Sequence, residues 1–324
     1  MAVIPTTLDG APRPPRGDDV RALLRTSDAR RRRKDRLMTV LVSTAFAVAL
    51  VPLVWLIWTV VARGVGRLDP YFLLHSMRGV FGGMDAGGIY HAIIGTLWVT
   101  VGAAIISVPI GILTAIYLVE YGAGGRLARA VTFFVDVMTG IPSIVAGLFA
   151  YALFSLFLGP SAHFGAMGAV ALSVLMIPVV VRSTEEMLKL VPNELREAAY
   201  ALGVPKWLTI IKVVLRTAVA GITTGVMLAV SRVVGETAPL LLTVGVIDSI
   251  NFNPFQGRMM TLPVYVYQQF TAGVVPCNNP NVTCISTINY DRAWSAALTL
   301  ILIVMILNLV ARLVSRLFAP KLRS

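Results

Sequence analysis

The chain has 324 residues, 56% of them hydrophobic and only 14% charged, with a formal net charge of +12. Soluble domains run near about 45–50% apolar and about 25% charged, so this balance excludes an ordinary soluble domain and points to a polytopic membrane protein. The basic excess does not indicate nucleic acid, because Lys and Arg lie in the tails and between apolar stretches with no interleaved aromatic side chains.

Residues 1–36 are Pro-containing and highly charged, ending in RRRRKDR (Arg30 to Arg36). This segment is too long for the n-region of a cleavable signal, and the apolar stretch after it is long enough to span. It reads as a disordered cytoplasmic tail whose basic end fixes orientation and touches anionic headgroups. Crossing about 30 Å of hydrocarbon takes roughly 20 helical residues. Apolar runs of that order occur near 38–62, 92–119, 130–158, 166–181, 217–246 and 293–315. The chain is therefore expected to be all-α with six transmembrane helices spread over a permease domain at 37–318, followed by a short end at 319–324. Six spans place both termini on one side. That side receives twenty-two Lys and Arg residues and the other only five, namely Arg63, Arg67, Arg78, Arg258 and Arg292. The positive-inside rule then makes both termini cytoplasmic.

Two loops fall on the outer side. The one at 63–90 is Gly-rich, and the one at 247–291 carries PCNNPNVTC. Cys277 and Cys284 are the chain's only cysteines, and their place in an outer loop makes them a disulfide candidate. The three histidines, His75, His91 and His163, are scattered and suggest no metal site. Helix breakers recur inside the spans: Pro142 in TGIPSIVAG (139–147), Pro178 in MIPVVV, and Pro239. Interrupted helices are tolerated where they line a cavity, although any one proline also suits a packing kink.

The cytoplasmic segment 184–216 contains the most informative motif. In LVPNELREAAYALGVPKW, two short helices are expected, with Pro192 and Pro205 near their starts and Gly203 as a left-handed cap between them. Ala198, Ala199, Tyr200 and Ala201 form a small-residue surface suited to a partner's close approach. Glu197-Ala198-Ala199, three residues and then Gly203 resemble the EAA loop of ABC importer permeases, although Arg216 stands where the general motif ends in proline. That resemblance implies that Glu197, Ala198, Ala199, Tyr200 and Gly203 couple the chain to a separate ATPase. No G-x-x-x-x-G-K-[ST] occurs, so ATP and magnesium are expected on the partner ATPase, with no cofactor in this chain and no enzymatic activity of its own.

In the fifth apolar run, Gly221, Gly225, Ala229, Arg232, Gly235, Glu236 and Pro239 recur at spacings of three or four. On a continuous helix they share one small-residue face, which directs Arg232 and Glu236 into protein or an aqueous cavity. Arginine's fork of donors matches phosphate oxygens, and a glutamate four residues on can hold that fork or accept a proton-bearing oxygen. A salt bridge that only locks two helices accounts for the same spacing. Arg182 and Glu185, at i,i+3 in VVVRSTEEMLKL, make a second such pair, or else an interfacial anchor. Asp136 and Glu120 are further polar outliers that suit structural partners for the basic residues.

The stretch from IPVVVRSTEEMLKL through the EAA segment to SRVVGETAPLLLT (residues 231–243 at its end) resembles the PstA-type permeases of phosphate ABC importers. The resemblance covers most of 90–316 and also accommodates the basic residue at Arg216. It implies a type I ABC importer permease (MetI-like) fold in the bacterial cytoplasmic membrane and a pathway for inorganic phosphate. The family's functional residues fall on Arg182, Glu185, Arg232 and Glu236. Implied partners are a homologous PstC-type permease, two PstB-type ATPase subunits and a PstS-type phosphate-binding protein, besides membrane lipid. Three other readings are a sulfate or molybdate permease, an ion-coupled secondary transporter with Glu236 as proton carrier, and a membrane enzyme. The last lacks any nucleophile–base constellation.

Overall fold

The computed structural model describes residues 29–122, 124–277 and 284–318. These are helical throughout apart from connecting turns and one isolated antiparallel bridge between Met84 and Cys284. The basic tail before residue 29 and the end at 319–324 lie outside the described residues.

The chain separates into two compact units at Thr59 and Val60. The described part of the first is the body of helix α1 (Ala29–Gly64), which is apolar on all sides after its basic start. The second unit opens with the end of α1 and contains α2 (Pro70–Leu74), α3 (Tyr90–Ile116), α4 (Arg126–Thr139), α5 (Ser143–Leu158) and α6 (Gly165–Lys189). It continues through α7 (Asn193–Ala201), α8 (Lys206–Thr209), α9 (Leu215–Val234), α10 (Ala238–Thr243), α11 (Leu262–Ala272) and α12 (Ile288–Phe318). Among the described residues, five segments are long and apolar enough to cross a membrane: Arg32–Arg67, Tyr90–Tyr121, Gly165–Lys189, Lys206–Val234 and Ile288–Leu313.

The expected third span departs from a single rod. Residues 130–158 fall in α4 and α5, which meet at a 108° bend. Gly140 ends α4, and Pro142 stands as the N-cap of α5 at ψ 136°. Proline has no N–H for the ladder, its ring excludes the carbonyl four residues back, and it pushes Ile141 out of the helical region. The fifth expected span, 217–246, is interrupted as well: α9 stops at Val234 and α10 restarts at Ala238. The fourth continues beyond 181 to Lys189.

Burial against protein gains little over burial in lipid, so close approach at small residues has to hold such helices together. Along the α3–α6 seam, a Cβ on Gly111 would lie 2.6 Å from Val180 Cγ1. Val99 and Ala103 of α3 share a buried cluster with Leu172, Met176 and Val180 of α6 and with Val230 and Val233 of α9. A second cluster gathers Ala115, Val135, Val181, Leu188, Val191, Val214 and Ala218 at the end where the 190–214 connection leaves α6.

At the opposite end, loop 64–89 is tied to residues 284–292 around the start of α12. Arg292, only 1% exposed, donates from Nη2 to the carbonyls of Met84 and Ala86, both at 2.8 Å. Arg67 pairs with Asp85 at 2.6 Å and also donates to Ala86 O. Cys277 and Cys284 are joined by a disulfide, with Cα atoms 5.7 Å apart.

Candidate functional site

Arg182 lies two turns before the end of α6. Its Nη1 donates to Glu185 Oε2 at 2.7 Å, one turn on along the same helix, while Nη2 pairs with Asp136 Oδ1 of α4. Lys189 Nζ holds the other Glu185 oxygen at 2.7 Å. The Glu185 side chain is 10% exposed, Arg182 30% and Asp136 58%, so the cluster runs from a buried carboxylate outward to an open one. Asp136 thereby joins the helix just before the bend to the helix that leads into the 190–214 connection.

The small-residue face of α9 packs on this same part of α6. Gly221 lies against the Met187 side chain, and a Cβ on Gly225 would come within 2.6 Å of Ser183 Oγ. A larger residue at either position would push α9 off the segment that carries Arg182.

The face itself ends earlier than periodicity implies. Val234 is the last residue of α9, Gly235 caps it, and the Glu236 N–H reaches back to Val233 O at 3.2 Å. Glu236 is therefore not one helical turn beyond Arg232 on a common helix. Neither side chain has an ion-pair or hydrogen-bond partner among the described residues. The expected Arg232–Glu236 pair does not form, and the cause is local. Pro239 cannot continue a helix through residue 235, so the chain turns at 235–237 and restarts with Pro239 in the first turn of α10. Arg232 occupies the last turn of α9, where free carbonyls and the negative end of the dipole favour a cation. It is exposed on the surface of the chain, and its neighbour Ser231 donates to Asn308 Oδ1 of α12 at 3.0 Å.

The TGIPSIVAG and GETAPLL segments meet in space, since Gly147 of α5 packs directly on the Pro239 backbone. Both helix interruptions thus border one helix–helix contact.

In the connection between α6 and α9, Gly203 adopts φ +75°, the left-handed region that a Cβ disfavours, and separates α7 from α8. Glu197, Ala198, Tyr200 and Gly203 are exposed. Ala199 is buried at 7%, so α7 turns this member of the expected small-residue surface inward. Large apolar side chains supply the outer surface in its place: Leu195, Leu202 and Trp207 are exposed beside Tyr200. Sequence periodicity also left Arg196 unremarked, although it pairs with Glu120 across 76 positions. Among the described residues, no group of three or more His, Cys, Asp or Glu side chains is placed to hold a metal ion.

The chain superposes with a TM-score of 0.60 on a chain of the bacterial alginate ABC transporter, solved in complex with an alginate pentasaccharide-bound periplasmic protein. That match covers 88% of this chain and 95% of the other at 13% identity. A chain of the MetNI methionine ABC transporter, in an inward-facing conformation, matches at TM-score 0.53 and 19% identity, covering 72% of this chain and 95% of the other. Residues 107–324 match the family described as binding-protein-dependent transport system inner membrane component, and the chain belongs to that family.

Whole-chain relatives narrow this further, to its PstA-type permeases. The chain is 49% identical to phosphate transport system permease protein PstA 1 of Mycobacterium tuberculosis H37Rv, over 88% of both chains. It is 50% identical to PstA of Mycobacterium leprae, covering 89% of this chain and 90% of that one. With PstA of Pasteurella multocida it shares 40% identity over 87% of this chain and 95% of the other.

Proposed function

We propose that this chain is the membrane permease subunit through which an ATP-driven ABC importer moves inorganic phosphate across the cytoplasmic membrane. The observation that carries this reading is near-full-length identity of 49–50% to proteins named phosphate transport permeases. A PstC-type permease would complete the pathway, two PstB-type ATPase subunits would bind ATP and magnesium, and a PstS-type protein would deliver phosphate from outside. Both termini are cytoplasmic in this reading, which the excess of basic residues on one side supports.

Arg232, Glu236, Arg182 and Glu185 are the proposed pathway residues. In support, the Arg232 guanidinium has no carboxylate partner among the described residues, which leaves its donors open to an anion. Arg182 is already neutralised by Asp136 and Glu185, so a phosphate there would have to compete with carboxylates. Such contacts are weak, as conduction requires, because tight binding prevents release. Glu197, Ala198, Tyr200 and Gly203 lie on the proposed ATPase-facing surface, with Ala199 supporting it from beneath.

The test is labelled phosphate and sulfate uptake by the reconstituted complex, wild type against Arg232→Ala. Phosphate uptake that falls in the variant supports the reading. Unchanged uptake removes Arg232 from the pathway, and a preference for sulfate overturns the substrate.

A further inference from the structure

We propose that Glu120 and Arg196 are a positioning pair that ties the ATPase-docking loop to α3, so that the loop and the spanning bundle move as one body. The proposal rests on the reading of residues 193–209 as that docking loop, but not on phosphate as the substrate.

The loop is joined by the chain itself to α6 at one end and to α9 at the other. Its hold on α3 must come from side chains, since α3 ends some seventy residues earlier. Arg196 supplies that hold. From α7, its Nε and Nη2 both donate to Glu120 Oε1, at 3.1 and 2.8 Å. The same guanidinium donates to Leu188 O at 3.1 Å, to Val191 O at 2.7 Å and to Asn193 Oδ1 at 3.2 Å. All three nitrogens of the planar fork are engaged, and the end of α6, the start of α7 and the end of α3 are fixed to one group.

The pair is well shielded, with side-chain exposures of 13% for Arg196 and 5% for Glu120. Separating the two would strand a charge in a poorly hydrated site, which is strongly unfavourable. A displacement of α7 is therefore transmitted instead of being absorbed by slippage. Glu120 sits in a π-helical turn, Tyr117–Tyr121, that prolongs α3 and closes with Gly122 N–H to Tyr117 O at 2.7 Å. Such turns interrupt the regular ladder and mark functional points in helices. Lys206, at the start of α8, lies 4.7 Å from the centre of the Tyr121 ring. Two residues from opposite ends of the loop thus grip consecutive residues of the same turn. From there α3 runs against α6 with Gly111 on Val180, two positions before Arg182.

The experiment compares the full reconstituted complex carrying wild-type chain, Glu120→Ala, Glu120→Gln or Arg196→Lys. It reads copurified ATPase subunit and the stimulation of ATP hydrolysis by loaded binding protein over the basal rate. In Glu120→Ala, complexes that retain the ATPase are expected to lose about tenfold in stimulation, within the usual range of coupling between sites. Glu120→Gln keeps an acceptor for the fork and should recover part of it, whereas Arg196→Lys, which loses the fork, should not. Wild-type stimulation in assembled Glu120→Ala complexes overturns the proposal. So does loss of assembly in every variant with an unaltered ratio in the residual complexes, because the pair would then serve folding alone. Stimulation of the wild-type complex only by a binding protein loaded with another anion refutes phosphate and leaves the pair judged by the same ratio. A wild-type chain that copurifies with no ATPase overturns both the docking reading and the pair.

Discussion

A Cβ placed on Gly147 would lie 2.6 Å from the Cα of Pro239, so α5 and α10 touch backbone to backbone. Their residues border the two helix interruptions, 140–142 and 235–237. Gly147→Ala gains about 1 kcal/mol of helix propensity. It also forces the two backbones apart, at a cost of about 1–3 kcal/mol for overpacking. A small net loss of stability is therefore expected, with a larger one for Gly147→Leu, read as a falling Tm of the purified complex. Phosphate uptake should fall in the same order. Identical melting of all three proteins would mean that the contact is absent.

Local signals were readable from sequence, and tertiary ones were not. Pro192, Pro205 and Gly203 announced the two loop helices because each acts on its own backbone. The Arg182–Glu185 pair was legible for the same reason, being one helical turn apart. Asp136 completes that pair from 46 positions away, and no periodicity contains such a contact. The spacing of small residues carries α9 through Glu236, whereas Gly235 and Pro239 stop the helix at Val234. Pro142 marks an interruption in the sequence, but the 108° bend it makes is not legible there, since apolar composition continues across it. Ala199 was expected on the docking surface by composition, but which side of α7 faces inward depends on what α7 packs against.

Arg182→Ala and Asp136→Ala remove the same ion pair, and their comparison separates structure from transport. The pair is partly open to solvent, so either change should cost about 1 kcal/mol or less in stability. If Arg182 contacts phosphate, only Arg182→Ala should lose uptake, by about tenfold or more, a barrier increase of about 1.4 kcal/mol. Asp136→Ala leaves the guanidinium held by Glu185 and should retain uptake. Equal losses in the two variants would identify the pair as a structural link between α4 and α6.

The exposed surface of the α7–α8 loop carries Leu202 at 84% exposure and Trp207 at 58%. Burying a leucine side chain at an interface contributes about 1.5–3 kcal/mol. Leu202→Glu forfeits that contribution and adds a carboxylate to be desolvated, so ATPase copurification should fall by more than about tenfold. The permease itself should melt as wild type, because Leu202 is almost fully exposed in it. Undiminished copurification would place the ATPase contact elsewhere.

The disulfide between Cys277 and Cys284 closes a short loop, with a sequence separation of 7. Loop-closure entropy for that length is worth about 2.5 kcal/mol. Its anchorage is specific: Cys284 pairs with Met84 in the isolated bridge, Ile285 N–H donates to Gly83 O at 2.8 Å, and Gly83 lies directly against the Cys284 sulfur. Reduction, or Cys277→Ser with Cys284→Ser, should therefore lower the Tm and increase hydrogen exchange in residues 83–86 as well as around the cysteines themselves. The amides around Glu120 and Arg196, beyond the other end of α3, should keep their protection, because no side-chain hydrogen bond or ion pair joins the two regions among the described residues. Loss of protection at both ends together would show that the bundle opens as one cooperative unit. Loss near the cysteines alone would show a disulfide-bearing end that opens locally while the end carrying α7 and α8 stays closed.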